Sequence, residues 1–322
     1  YNTRIVNKPG SSGKPTPNRK KILSIAFFIG LILPFGFTFM RESMNTKVRG
    51  RKDVEHLAVP FLGEIPQYSP NRHNRNEEKK ILVKAGKRDI INEAFRVLRT
   101  NVEFMSNSMQ GANIIAITSF NPGSGKSFIS INLGVSVALK GKRVLVIDGD
   151  MRHGSTSTYV GSPDKGFSDY LNGTETDINS LLVKHDACDS LFILPVGSMP
   201  PNPTELLESP RFVELIDKVK EQFDYIIIDC PPIEVVADAQ IIDQYVDRTF
   251  FIIRAGLLER SMLSDLDRLW YEKKYRNMAF ILNGTRNEQG RYGYSHSYRY
   301  GYGYGYGYGY SYGSDGKKNR KE

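Results

Sequence analysis

Cysteine is scarce in this chain of 322 residues: only Cys188 and Cys230 occur. Two thiols that far apart exclude a disulfide-framework fold and any CxxC metal or redox pattern, and they read as reduced cytosolic thiols. The five histidines, His56, His73, His153, His185 and His296, show no metal-ligand spacing, so no zinc site is expected. A positive excess is also missing where a nucleic-acid groove would need it. The formal net charge is +9, but residues 86–288 hold 22 basic against 27 acidic side chains, whereas residues 1–85 hold 16 and 6 and residues 289–322 hold 6 and 2. An acidic centre between basic ends argues against a nucleic-acid partner.

Long apolar runs are absent except at residues 22–40, ILSIAFFIGLILPFGFTFM, which carry no charge and are bracketed by Arg19-Lys20-Lys21 and Arg41. At about 1.5 Å per residue a helix there reaches roughly 28 Å, the thickness of a bilayer's hydrocarbon layer. Pro34 and Gly36 suit a membrane helix better than a soluble one, and no small-residue cleavage site follows, so a transmembrane helix is expected. Basic residues flank it on both sides, and the positive-inside rule does not orient it. A first residue of Tyr1 rather than Met leaves open a longer protein with another span upstream. Residues 1–21 read as an extracytoplasmic Pro/Gly/Ser-rich linker, and residues 41–85 as a cytoplasmic juxtamembrane connector with one apolar docking patch at 57–66, LAVPFLGEIP.

From residue 86 to 288 the pattern becomes globular. A helical stretch, DIINEAFRVLRTNVEFM, precedes unalternated aliphatic runs at 114–118, 144–147, 191–194, 225–228, 250–253 and 280–282, with helical stretches at 128–140 and 210–223. Such runs suit strands buried on both faces, and the expected class is α/β with a doubly wound, mostly parallel sheet.

The run at 114–118 leads into Ser119-Phe120-Asn121-Pro122-Gly123-Ser124-Gly125-Lys126-Ser127 and then a helix. Glycines let backbone N–H groups point inward around phosphate, and a helix N-terminus adds a favourable dipole. Gly123, Ser124, Gly125, Lys126, Ser127 and Phe128 are therefore the candidate nucleotide-phosphate contacts, with Lys126 reaching the β/γ-phosphates and Ser127 on Mg²⁺. Phe120 stands where the GxxxxGK[ST] pattern has its first glycine. Two more apolar runs end in acid, VLVIDGDMR with Asp148 and Asp150, and YIIIDCPP with Asp229. In a parallel sheet such strand ends face the ligand crevice, so all three carboxylates are expected near the nucleotide.

These motifs, together with PNPTELL at 201–207, the spacing Glu93-x-x-Arg96-x-x-Arg99 and a C-terminal tyrosine cluster, resemble the bacterial tyrosine autokinases of capsular and exopolysaccharide export. The resemblance implies a P-loop core of MinD/ParA type that uses ATP and Mg²⁺. Lys126, Asp148, Asp150 and Asp229 would be its catalytic residues, with Ser127, Asp150 and Asp229 on the metal and Asp148 accepting the phenolic proton. It implies a ring-like homo-oligomer, an octamer, in which Glu93, Arg96 and Arg99 make subunit contacts. A cognate tyrosine phosphatase and the polysaccharide polymerase and export machinery are its further partners, and the bacterial inner membrane its location, with the kinase domain in the cytoplasm.

The expected acceptors are Tyr292, Tyr294, Tyr298, Tyr300, Tyr302, Tyr304, Tyr306, Tyr308, Tyr310 and Tyr312, most of them in a Gly-Tyr repeat whose composition predicts a disordered tail over 289–322. A flexible tether of about 20 residues spans roughly 25 Å, enough to present several tyrosines to a neighbour without a tight recognition motif. Each phosphotyrosine adds roughly −1.5 to −2, so about five or six would cancel the chain's positive excess. Two alternatives stand beside the kinase: a MinD/ParA-like ATPase, whose loop usually carries an additional lysine that Phe120-Asn121-Pro122 does not offer, and a chain-length scaffold whose nucleotide site only sets oligomeric state.

Overall fold

The computed structural model describes residues 18–68, 81–106, 113–186, 188–233 and 238–286. The tyrosine-rich tail and most of the N-terminal linker lie outside the described residues. Helix α1, Arg19–Ser43, contains the apolar segment Arg19–Met40, 22 residues with a mean hydropathy of 2.3 and no buried part. It is long and apolar enough to cross a membrane.

Among the described residues eight strands form one sheet. In chain order they are β1 (Phe61–Pro66), β2 (Asn113–Thr118), β3 (Val144–Asp148), β4 (Val183–Lys184), β5 (Leu191–Leu194), β6 (Tyr225–Asp229), β7 (Arg248–Arg254) and β8 (Ala279–Thr285). The order across the sheet is β1-β8-β7-β2-β6-β3-β5-β4, and every pairing is parallel except β4 with β5. The strands β2, β3, β5, β6, β7 and β8 fall where the aliphatic runs predict them, and the two-residue β4 is an addition that no run announces.

Side chains alternate between the two faces of each strand. One face carries Ile115, Ile117, Val144, Val146, Ile227 and Ile252 and is covered by α2 (Ile90–Ser106) and α3 (Lys126–Ala138). The other carries Ile114, Ala116, Leu145, Ile147, Ile226 and Ile228 under α4 (Phe167–Asn172), α6 (Pro210–Lys220) and α7 (Asp238–Asp243). A further cluster joins Phe251, Ile253, Phe280 and Leu282 to Leu263 and Leu266 of α8 (Leu263–Tyr271). Helices on both faces make the sheet doubly wound, as expected.

The stretch expected to be a connector differs from that expectation. Residues 61–66 are not a docking patch but the edge strand β1, paired with β8, with Leu62 and Ile65 buried beneath α2. Val48, Val54 and Val59 are buried in the third cluster, and the backbone of Val48 exchanges hydrogen bonds with Leu258 and Gly256. The folded unit thus begins near Thr46, well before residue 86. The physical reason is that β8, the last strand, would otherwise expose a parallel edge and an apolar face.

Candidate active site

The parallel order places the C-terminal ends of β2, β6 and β3 side by side, and the phosphate loop follows β2 directly. Gly123 (φ +74°) and Gly125 (φ +91°) both take left-handed conformations that favour glycine, and Gly125 caps α3. Within the loop, the Ser119 and Ser124 hydroxyls both donate to the Asn121 carbonyl at 2.8 Å. Phe120 does not face the loop interior. It is buried against Phe251, ring centroids 5.8 Å apart, which explains how a large side chain replaces glycine there without blocking the site. Phe128 turns its ring to Phe95 at 5.8 Å, leaving only its backbone to face a phosphate.

Strand register brings the acids together. Asp148 and Asp229 are direct partners across β3 and β6, and the Gly149 N–H donates to the Asp229 carbonyl at 2.9 Å. A Cβ at Gly149 would meet that carbonyl at 3.1 Å, so glycine permits the close approach. Asp229 Oδ2 accepts from the Ser127 hydroxyl at 2.5 Å and from the Thr156 hydroxyl at 2.7 Å. Asp148 Oδ2 accepts from both the backbone N–H and the hydroxyl of Ser157, at 2.6 and 2.7 Å. The Oδ1 atoms of both aspartates are buried and have no hydrogen-bond partner among the described residues.

Burial, and then the Asp229 charge beside it, pushes the Asp148 carboxyl up to about 8. Asp229 is raised to about 6 by burial, against the lowering effects of Lys126 and of the Ser127 and Thr156 hydrogen bonds. Asp150 is buried at the rim, 3.3 Å from His153 Nδ1. A cleft of about 250 Å³, lined by His153, Gly154, Ser157, Thr158, Val196 and Met199 among others, opens alongside. The loop after β3 is tied down through Arg152, 3.5 Å from Asp238, which in turn accepts from Thr204 at 2.7 Å. Thr204 belongs to α5 (Pro203–Leu207), so the PNPTELL segment buttresses this loop.

The donors fit a hard cation: carboxylate and hydroxyl oxygens, two of them buried and unsatisfied. Among the described residues no three acidic, histidine or cysteine side chains form a metal cluster. Mg²⁺ bound by Ser127, Asp150 and Asp229 would thus complete its shell with phosphate oxygens and water, as this ion commonly does.

Sequence reasoning missed four contributors: Thr156 and Ser157, which hold the carboxylates, and Asn283 and Arg254, which approach from the other side. Asn283 Nδ2 donates to the Ser124 carbonyl at 2.8 Å. Glu93, Arg96 and Arg99 do not form one exposed face. Glu93 and Arg96 are half-exposed and pair with each other at 2.5 Å, while Arg99 folds inward, donating to the Ser136 carbonyl of α3 at 2.7 Å. The ten tail tyrosines lie outside the described residues.

Residues 112–243 match the protein family described as AAA domain. The chain is 32% identical over 300 residues to a tyrosine-protein kinase, ptk, of Acinetobacter johnsonii, covering 90% of this chain and 40% of the relative. Among solved structures it is similar to the kinase domain of the Escherichia coli tyrosine kinase ETK, with 29% identity and a TM-score of 0.66 over 79% of this chain and all of that one. It is likewise similar to the BceF tyrosine kinase domain, with 30% identity and a TM-score of 0.64 over 74% of this chain and 99% of that one.

Proposed function

The chain belongs to the family of bacterial tyrosine-protein kinases, and from that premise we propose that it is a membrane-anchored, Mg-ATP-dependent tyrosine autokinase that phosphorylates its own C-terminal tyrosines in trans. The observation that carries this reading is the pair of buried, unsatisfied oxygens on Asp148 and Asp229 beside the phosphate loop. Buried carboxylate oxygens with no hydrogen-bond donor are costly unless a cation or proton arrives there. The chain spans about 40% of the length of the curated relative it matches, and the remaining assignments are part of the same proposal.

In the transfer, the phenolic oxygen of an acceptor tyrosine bonds to the γ-phosphorus, the bond from that phosphorus to the β,γ-bridging oxygen breaks, and ADP departs. The loop from Gly123 to Phe128 holds the phosphates, and Lys126 neutralises charge developing on the bridging side. Asp148 takes the phenolic proton; its carboxyl, raised to about 8, sits near the operating pH, where it can accept and release a proton. Mg²⁺ on Ser127, Asp150 and Asp229 supplies charge neutralisation of the phosphates. Thr156 and Ser157 keep two of the carboxylates oriented.

Acceptors would come from Tyr292 to Tyr312 of a neighbouring subunit in a ring, an octamer, with Glu93 and Arg96 at its contacts and Arg99 anchoring their helix to α3. Accumulated phosphate would repel the tails and loosen the ring, a cycle reset by a tyrosine phosphatase and coupled to polysaccharide polymerisation and export at the inner membrane. A mixing experiment tests transfer between subunits: a Lys126→Ala chain with an intact tail is combined with an active chain truncated after Arg286. Phosphotyrosine on the Lys126→Ala tail is expected. Its absence, with the untruncated wild type phosphorylating itself in a concentration-independent way, would overturn the trans assignment.

A further inference from the structure

Across the sheet, β2 has the carboxylate-bearing strands β6 and β3 on one side and β7 and β8 on the other. Arg254 ends β7 and is the register partner of Asn283 in β8. Its side chain lies across Gly284: a Cβ built there would be 3.8 Å from Arg254 Cγ and Cζ. A Cβ built on Gly125 would be 3.5 Å from its Nη1, so the guanidinium ends at the cap of α3. Among the described residues no carboxylate forms an ion pair with Arg254.

That arrangement is electrostatically unsatisfied. A helix N-terminus carries partial positive charge and disfavours a neighbouring cation, and Lys126 lies buried in the first turn of the same helix. Arg254 is only partly exposed, so water compensates it incompletely. Of the three positive features around the loop only Lys126 has a carboxylate near it among the described residues, Asp229, and a polyanion lying along the loop relieves the helix N-terminus and Arg254 together. On the proposed reading the γ end of the phosphate chain points to β6 and β3, where the acids are. Consequently the α and β end leaves over β7 and β8, where Arg254 waits.

We propose that Arg254 is a nucleotide-anchoring residue that contacts the α/β-phosphate end of the bound nucleotide, opposite the carboxylates, and holds ADP and ATP alike. This rests on the reading of the loop as an ATP site. A group that binds both nucleotides equally stabilises ground state and transition state by the same amount, so it acts on KM rather than on kcat.

The test is direct titration of the full chain, without catalysis, using fluorescent ADP and non-hydrolysable ATP analogues on the wild type, Arg254→Met and Arg254→Lys. Loss of a charge-assisted hydrogen bond predicts binding about ten-fold weaker or more for Arg254→Met, equal for the two nucleotides, with a smaller equal loss for Arg254→Lys. The nucleotide-free melting temperature of Arg254→Met should be unchanged or higher, because an unpaired guanidinium has been removed; a structural role would lower it. Unchanged affinity in Arg254→Met overturns the proposal, as does a loss confined to the ATP analogue, which would place the contact at the γ-phosphate. Wild-type chain that binds neither nucleotide would instead overturn the ATP-site reading itself.

Discussion

On the β6 and β3 side of the phosphate loop lie three buried carboxylates, two of them, Asp148 and Asp229, held by hydroxyls and a backbone N–H and the third, Asp150, beside His153; on the β7 and β8 side the strand ends carry a guanidinium and an amide. The acids are crowded beyond what they would tolerate alone, with Asp148 raised to about 8 beside Asp229. Across the loop, Asn283 fastens the Ser124 carbonyl, and among the described residues no carboxylate pairs with Arg254. On the proposed reading, one sheet assigns opposite tasks to its two halves: one side is prepared for cations and a proton, the other for the anchored end of a polyanion. On the same reading, Mg-nucleotide would relieve both sides.

The comparison breaks most completely if its centre is removed. Lys126→Ala should lower tail phosphorylation by about a hundred-fold or more, measured as phosphotyrosine per chain, because no other cation in the loop reaches the transferring group. Asp229→Asn should cost about as much in rate, yet leave the nucleotide-free fold as stable or more so by thermal melting, since it removes a buried charge from beside Asp148. A drop in both activity and stability would show that Asp229 is structural.

On the opposite side, Asn283→Leu should weaken nucleotide binding by about ten-fold in direct titration. It leaves the buried Ser124 carbonyl unpartnered and frees the loop to relax.

The smallest effect is on pH dependence. Asp148 and Asp229 stand at about 8 and about 6 in the folded chain, against a usual 3.8. The folded state therefore binds protons more tightly than the unfolded one, and this contribution to stability is full below the unfolded value and lost as pH rises through the folded ones. The nucleotide-free protein should melt lower at about pH 8.5 than at about pH 5.5, and Asp148→Asn should flatten that slope. An unchanged slope would mean that the pair titrates normally.

The acidic side was legible because each of its members ends an aliphatic run, and strand ends of a parallel sheet converge. The basic side was not. Arg254 and Asn283 end runs too, but only strand order puts β7 beside β2, and that order depends on contacts remote in sequence. Phe120 was legible as a departure from the loop pattern; its accommodation against Phe251 was not, since Phe251 lies on a strand far along the chain. Residues 57–66 were read as a patch because their partner, β8, is the last strand. Arg99 fits the same helical face as Glu93 and Arg96 by spacing, yet α3 packs against that part of the helix and captures it.

The central claim is that this site transfers phosphate to the chain's own tyrosines. Its most direct measurement is mass-spectrometric mapping of residues 287–322 after incubating purified full chain with Mg-ATP, wild type beside Lys126→Ala. The account predicts several phosphotyrosines between Tyr292 and Tyr312 in the wild type and none in Lys126→Ala. Equal phosphorylation of both, or release of inorganic phosphate by the wild type with an unmodified tail, would contradict it.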